Sequence, residues 1–511
     1  MKRICQLITL CAGWAISVAT PADSSSEWFK AGQHKIIEAK RLFANRKTAK
    51  NIILFVGDGL GVSTVTAARI LEGQQRNASG EENFLSFERF PYLALSKTYN
   101  TDQQIPDSAG TMTAIMTGVK TRAGMLSISE NSRRGECRGT ETNILPTLLE
   151  EFETLGKSTG IVTTARLTHA TPAATYAHVS ERQWEDDSGL SKKASGEGCH
   201  DIARQLIEFP FGDGLDVALG GGRRHFLPQV EREKKGQAGR RKDNRDLTKE
   251  WLKNYRQSAY VWNKKQLAAI KPESTGHLLG LFNPSHMQYE SDREENGSGE
   301  PSLTEMTKKS IQILGKNPKG YFLMVEAGRI DHGHHANNAF RALTETIELS
   351  KAVKVARDLT DRQDTLIIVT ADHSHALSIA GYPTRGNPIL GKVVENKRNG
   401  DPSSKPALDA NGHAYATLSY TNGRGFATLD RGGDTRYTSE IKAGRVTYLD
   451  KVNTRDEGFH QEALIPLNAA THSGEDVAIY ADGPGAYLLS GVIEQNVIYH
   501  AMKEAAGMNK Q

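Results

Sequence analysis

Three runs in this chain are apolar on both faces and short: Asn51 to Gly57 (Asn-Ile-Ile-Leu-Phe-Val-Gly), Tyr321 to Val325 and Thr365 to Thr370. A strand with no polar face belongs in the interior of a parallel sheet that is covered by helices on both sides. The runs lead into the acidic residues Asp58, Glu326 and Asp372. After the first come Asp58-Gly59-Leu60-Gly61 and a helical stretch from Val62 to Gly73, the βα unit of such a sheet. The fold class that follows is α/β, with a large central, mostly parallel sheet flanked by helices. Open sheets of this kind bind ligands outside the carboxyl ends of their strands, which is where the three acids fall. The glycines after the first strand form neither GxGxxG nor GxxxxGK[ST], so they carry no nucleotide fingerprint.

Small, helix-tolerant residues run from Ser108 to Thr117, with Pro106 and Asp107 before them and Gly118 as a stop. Ser108 is thereby placed at a helix N-terminus, where free N–H groups and the helix dipole favour an anion. Alone, such a serine is an ordinary N-cap.

The 511 residues carry 64 basic and 60 acidic side chains, a net charge of +4. This balance gives no footprint for nucleic acid. Lys2 and Arg3, the apolar run Ile4 to Ala19 and the small residues up to Ala22 read as a signal peptide over 1–22. The run is short for a membrane span, and the polar tail Ala505 to Gln511 speaks against a lipid anchor. The protein is therefore expected to be periplasmic or secreted. Cys5 and Cys11 leave with the signal, and Cys137 and Cys199 remain in an oxidising compartment. A Cys137–Cys199 disulfide is predicted, the alternative being two free thiols.

Residues 23–50 read as a helical arm, amphipathic over Trp28 to Arg46. Further on, Thr142 to Leu155 is predicted helical and Gly160 to Thr164 extended. Gly196 to Phe209 runs into a helix containing Cys199, and Leu215 to Leu219 is a short strand. Gln229 to Arg256 reads as a solvated loop and helix face, and Glu290 to Pro301 as an acidic surface insertion. Arg329 to Asn338 leads into a helix predicted to run through Arg357, and Gly381 to Leu464, rich in Gly, Asn, Asp and Thr, reads as a β-rich insertion. Val477 to Tyr480 is a strand and Ile493 to Ala506 a closing helix. The α/β domain is then 51–380 with 465–511, and the insertion is 381–464.

Histidines and further aspartates stand beside the strand-end acids. Asp331 and His335 are four apart and, if that turn is helical, point the same way as a two-ligand metal arm; Asp372 and His373 follow a strand and can both bind only if the backbone turns there. Carboxylate with imidazole suits zinc-like ions, and carboxylate with hydroxyl suits magnesium. Taken singly, each residue has an ordinary reading as a cap, a turn or a surface pair. Their joint occurrence with Ser108 is what points to a site.

Six ordered motifs resemble the alkaline phosphatases: Val56-Gly57-Asp58-Gly59, Asp107-Ser108-Ala109-Gly110-Thr111, His169-Ala170-Thr171-Pro172, Glu326 with Arg329-Ile330-Asp331-His332-Gly333-His334-His335, Thr370-Ala371-Asp372-His373-Ser374-His375, and Thr471-His472-Ser473-Gly474-Glu475-Asp476. The wording is closer to the animal enzymes than to the enteric bacterial type. The resemblance implies hydrolysis of phosphate monoesters, releasing inorganic phosphate, through a phosphoserine on Ser108, with Arg182 gripping the phosphate. It implies one Zn2+ on Asp331, His335 and His472, and a second on Asp58, Asp372 and His373. It implies one Mg2+ on Asp58, Thr171 and Glu326, with His169 acting through water. Animal relatives add a Ca2+ site; here Asn283 stands where they have a carboxylate and Glu300 replaces another ligand, so that site is expected to be absent or weak. A homodimer is also implied, with the arm and insertion near the interface and Tyr382 reaching the neighbouring site. The alternatives are a related phosphodiesterase and a non-catalytic zinc- or phosphate-binding protein on the same fold. A sulfatase would need a Cys/Ser-x-Pro-x-Arg setting that Ser108-Ala109-Gly110 does not provide.

Overall fold

In the computed structural model, ten strands form one sheet: β1 Asn51–Gly57, β2 Tyr92–Lys97, β3 Ser158–Arg166, β4 Val217–Gly221, β5 Ser258–Val261, β6 His277–Leu281, β7 Tyr321–Ala327, β8 Thr365–Ala371, β9 Val477–Asp482 and β10 Gly491–Glu494. Their order is β10-β2-β9-β8-β1-β7-β3-β4-β6-β5. Only β9 runs antiparallel to its neighbours. The structure describes residues 26–229, 238–294, 297, 299–425, 427–428 and 449–509. The signal peptide expected over 1–22, with Cys5 and Cys11, lies outside the described residues.

β1 sits at the centre because it is apolar on both faces. It pairs in parallel with β7 (Ile52 opposite Phe322, Gly57 opposite Ala327) and with β8 (Asn51 opposite Thr365, Gly57 opposite Ala371). Ile52, Leu54 and Val56 face one core layer with Met112, Ile115 and Met116 of the helix Ser108–Thr117. Ile53 and Phe55 face the other, with Ala342, Ile347 and Val353 of the helix Ala339–Leu359. The period-two alternation of side chains thus feeds two cores. Because β1, β7, β8, β3 and β2 run the same way, their carboxyl ends open onto one edge.

The chain divides into two units between Ala44 and Asn45. In the first, the helix Glu27–Lys40 is capped by Ser26 and has no buried residue. It ends before the predicted limit at Arg46.

Several expectations are corrected. The predicted helix Thr142 to Leu155 is only Leu148–Thr154, with a capping box from Thr147 and Glu150, because Pro146 bars continuation from upstream. Cys199 lies before the helix Ile202–Ile207, whose N-cap is Asp201, and is bonded to Cys137 as predicted. The helix predicted to follow Asn338 is present as Ala339–Leu359, capped by Asn338, and the motif before it forms a short helix of its own, Arg329–His335, the two parted where Asn337 adopts φ 56°. The closing helix is Val497–Ala505, since Gly491–Glu494 adds a strand to the sheet edge. In Glu290 to Pro301, Asp292, Arg293 and Glu300 are buried rather than on the surface, and Asp292 pairs with Arg341 at 2.8 Å. Arg241, expected on a solvated face, is fully buried between Asp201 and Asp243. Near the 381–464 stretch, Leu377–Ile379, Leu418–Gly423 and Ala463–Pro466 form a three-stranded sheet.

Candidate active site

Asp58 is the first residue after β1. Both its carboxylate oxygens are buried without a hydrogen-bond partner. Asp372 is the first residue after β8. Its Oδ1 accepts from the Gly59 N–H at 3.1 Å and the His373 N–H at 2.9 Å, and its Oδ2 has no partner. Gly59 is required here: its φ is 73°, and a Cβ would lie 2.7 Å from the His375 ring. Glu326 is the penultimate residue of β7, opposite Val56 of β1 and Thr163 of β3. The Thr163 hydroxyl donates to its Oε2, while Oε1 is unpartnered.

Burial and mutual repulsion push these acids up. Glu326 rises to about 8 and Asp372 to about 6, and Asp58 rises well above the usual carboxylate range. In each case burial is the largest cause, and neighbouring carboxylates add to it. A buried carboxylate with bare oxygens calls for a cation. The donor set therefore fits bound metal.

A second cluster forms around Asp331, which lies one helical turn from His335 on the helix Arg329–His335. Asp331 Oδ1 is 3.2 Å from His335 Nε2, 3.4 Å from His472 Nε2 and 2.6 Å from His375 Nε2. The short antiparallel pair His472–Ser473 with Ser374–His375 places the last two histidines opposite each other. A carbonyl can only accept, so the Nδ1 atoms facing Ala470 O at 2.6 Å (His335) and Pro106 O at 2.8 Å (His472) carry the ring protons. That leaves each Nε2 lone pair turned to the cluster, the usual outer support of a metal-binding histidine.

Ser108 links the clusters. Its Oγ is 3.1 Å from His373 Nε2, which is 3.4 Å from Asp58 and 3.3 Å from Asp372. The His373 ring stacks on that of His472, with centroids 3.6 Å apart. Burial and then His472 hold His373 well below the usual imidazole range. The N-cap of the serine's helix is Asp107, not Ser108, and it accepts from the Gly110 N–H at 3.1 Å. Ser108 is the first helical residue, buried, with Gly118 closing the helix at φ 75°. Asp107 also accepts from Arg182 Nη1 at 2.9 Å, and Arg182 Nη2 is 3.3 Å from His169 Nε2. The Thr171 hydroxyl is buried and makes no hydrogen bond, but it lies beside Glu326 and helps hold that carboxyl down.

One ligand atom from each of Asp58, His169 and Glu326 lies within 4.8 Å of the others; the same holds for Asp58, Asp372 and His373, and for Asp331, His335, His375 and His472. Every site residue singled out from the sequence thus reaches one edge of the sheet. Sequence reasoning assigned no role to His375, Asp107 or Thr163. The first two stand inside the quoted motifs, one position or two from assigned residues, and that proximity was the available signal. At the two positions compared with calcium ligands of animal relatives, Asn283 Nδ2 donates to Glu300 Oε1 at 2.6 Å, and Glu300 Oε2 accepts from the Gln288 N–H at 2.8 Å.

The alkaline phosphatase family model matches residues 49–508. The tissue-nonspecific isozyme of Homo sapiens is 44% identical over 470 residues, 90% of this chain and 84% of the relative. The alkaline phosphatase of Gadus morhua is 42% identical over 495 residues, 95% of this chain and 97% of the relative. Among solved structures, Thermus thermophilus alkaline phosphatase superposes with a TM-score of 0.63 at 23% identity, covering 92% of this chain and 93% of that one, a likeness of fold. With the fold, the clustered donors and these matches in hand, the chain belongs to the alkaline phosphatase family of phosphate monoester hydrolases.

Proposed function

We propose that Ser108 is the nucleophile and that the reaction passes through a phosphoserine. The observation that carries this is the placement of Ser108 Oγ at a helix N-terminus, beside Asp372 and 3.1 Å from His373, whose Nε2 in turn lies 3.4 Å from Asp58. Two zinc ions would be held by Asp331, His335 and His472, and by Asp58, Asp372 and His373. One magnesium would be held by Asp58, Thr171 and Glu326, with His169 through water. When bound, these ions supply Lewis-acid neutralisation of the phosphate charge and lower the pKa of an adjacent hydroxyl. His375, which bonds Asp331 at 2.6 Å, orients the first set rather than adding a ligand.

The chain's own residues do the rest. Arg182, oriented by Asp107, presents its planar fork to two non-bridging phosphate oxygens. The first-turn N–H groups of Ser108–Thr117 face the same charge. Ser108 Oγ forms a bond to phosphorus as the ester P–O bond breaks and the alcohol leaves. Water then cleaves the phosphoserine and releases inorganic phosphate. No side-chain base would be required where bound metal lowers the pKa of the Ser108 hydroxyl, since its proton could then pass to solvent.

We further assign a periplasmic or secreted location, which the signal-like N-terminus and the Cys137–Cys199 disulfide support. A homodimer is supported by the helix Glu27–Lys40, which buries none of its residues, and by exposed Tyr382. The N-terminal arm over 23–50 and the crown-like insertion over 381–464 belong to the same reading. No calcium ion is assigned, because Asn283 and Glu300 bond each other. The test is hydrolysis of p-nitrophenyl phosphate at alkaline pH with zinc and magnesium, beside Ser108→Ala. Turnover should vanish in the variant while its metal content persists; a variant that still turns over would overturn the assignment.

A further inference from the structure

Beside the site described above stands a second group of donors, two of which, His286 and His332, have no part in the reaction as proposed. His169 follows β3, His286 lies in the loop after β6, and His332 projects from the helix Arg329–His335. One ring nitrogen of each lies within 4.8 Å of the other two. The rings of His286 and His332 are 4.1 Å apart by centroid, and His169 is 5.3 Å from His286 and 5.7 Å from His332. Nδ1 of all three is buried and has no hydrogen-bond partner.

The rings are held in place. The backbone pins His286 on both sides: the Gly222 N–H donates to Ser285 O at 2.7 Å, and the Met287 N–H donates to Thr164 O at 3.0 Å. On the outer edges, Arg166 bonds His286 Nε2, and Arg182 Nη2 is 3.3 Å from His169 Nε2. A guanidinium only donates, so both Nε2 atoms accept and the proton of each neutral ring sits on Nδ1. Two buried N–H groups then point at nothing. Unpartnered buried donors are rare in folded proteins and ask for an explanation.

We propose that His169, His286 and His332 form a further metal site, binding zinc or a similar borderline divalent ion through their Nδ1 atoms. Three neutral imidazoles bring no charge and no oxygen, a donor set that suits zinc and not magnesium or calcium. The rings are half-buried, which leaves a path from solvent. Loading is balanced within the chain: in His169 and His286 the ring proton moves from Nδ1 to Nε2. Arg182 Nη2 and Arg166 Nη1 then turn away. Each arginine keeps its carboxylate, Arg166 with two bonds of 2.7 Å to Glu185 and Arg182 with Asp107 at 2.9 Å. His169 is shared with the Asp58–Glu326 group, so this site borders the proposed magnesium position, while His286 and His332 belong to neither zinc set.

The test is metal content per chain by mass spectrometry, after equilibration with zinc chloride and magnesium chloride and removal of free metal. Wild type, His286→Asn and His332→Asn are compared. Wild type should hold three zinc ions per chain and each variant two, with magnesium unchanged. Equal zinc in all three proteins overturns the site. If the variants fail to fold, the wild-type count decides, since two zinc ions per chain would also overturn it. Asp331→Asn separates this site from the reading under Proposed function: it should lose a zinc ion while keeping the one that His286→Asn removes.

Discussion

Arg182 Nη1 donates to Asp107 Oδ2 across 2.9 Å, and the same carboxylate caps the helix that begins at Ser108. It also accepts from the Gly124 N–H at 2.9 Å and from Asn100 Nδ2 at 3.1 Å. One acidic side chain therefore fixes both the serine's helix and the arginine. Burial alone would raise Asp107, but Arg182 and the two backbone donors win and hold it below the usual carboxylate range.

Asp107→Ala should therefore cost about 0.5–2 kcal/mol of stability through the lost cap. It should also free Arg182 from its charge-assisted bond, lowering kcat/KM by about tenfold to a hundredfold, with one decade per 1.36 kcal/mol. Asp107→Asn, which keeps an N-cap acceptor, should recover the melting temperature but not the rate. Steady-state kinetics and thermal melts check both halves.

Gly59→Ala should damage the site more than the fold. Its φ of 73° is strained for any side chain, and the new Cβ would press on His375 at 2.7 Å and on the Asp331 backbone at 3.3 Å. Zinc affinity should drop at least tenfold while the far-ultraviolet circular dichroism is kept. Unchanged affinity would show that this turn does not set the ligand geometry.

Glu153 gives a pH signature far from the chemistry. Its carboxyl is buried, accepts from the Thr159 hydroxyl and lies near Asp216. Burial first, then Asp216, push it from 4.5 up to about 9. The folded chain thus keeps a proton that the unfolded chain has lost, so this group costs stability progressively as pH rises from about 4.5 to about 9. Glu153→Gln should melt higher than wild type by a margin that widens between pH 5 and pH 9. A margin that stays flat with pH would contradict the assignment.

The Cys137–Cys199 bridge closes a loop with a sequence separation of 62. In the chain-entropy description a loop of this size contributes about 4 kcal/mol. The double variant Cys137→Ser with Cys199→Ser should lose stability of that order in denaturant unfolding, with activity kept at low temperature.

The parts of this molecule legible in its sequence are those fixed by local pattern. β1, β7 and β8 are apolar on both faces, so their place at the sheet centre and the acids at their ends followed directly. Strand β2, Tyr92–Lys97, escaped notice because its alternate residues are exposed and Lys97 ends it, as suits a strand near the sheet edge. The buried charges Arg241, Asp292 and Arg293 were misplaced on the surface because their partners, Asp201, Arg341 and Glu290, come from elsewhere in the chain or from the next helical turn. Charge in a sequence reads as solvation until its partner is known. The pairing of Asp331 with His335 as candidate ligands is legible from their helical spacing, whereas His286 stands alone in its loop. Nothing local tells that it meets His169 and His332.

The most direct measurement is to mix the zinc- and magnesium-loaded protein with a phosphate monoester, quench in acid and map covalent phosphate by peptide mass spectrometry. Phosphate on Ser108, absent from Ser108→Ala and from chelated protein, is the expected result. Full turnover with no phosphate on Ser108 under any quench would contradict the serine route and leave direct attack by water.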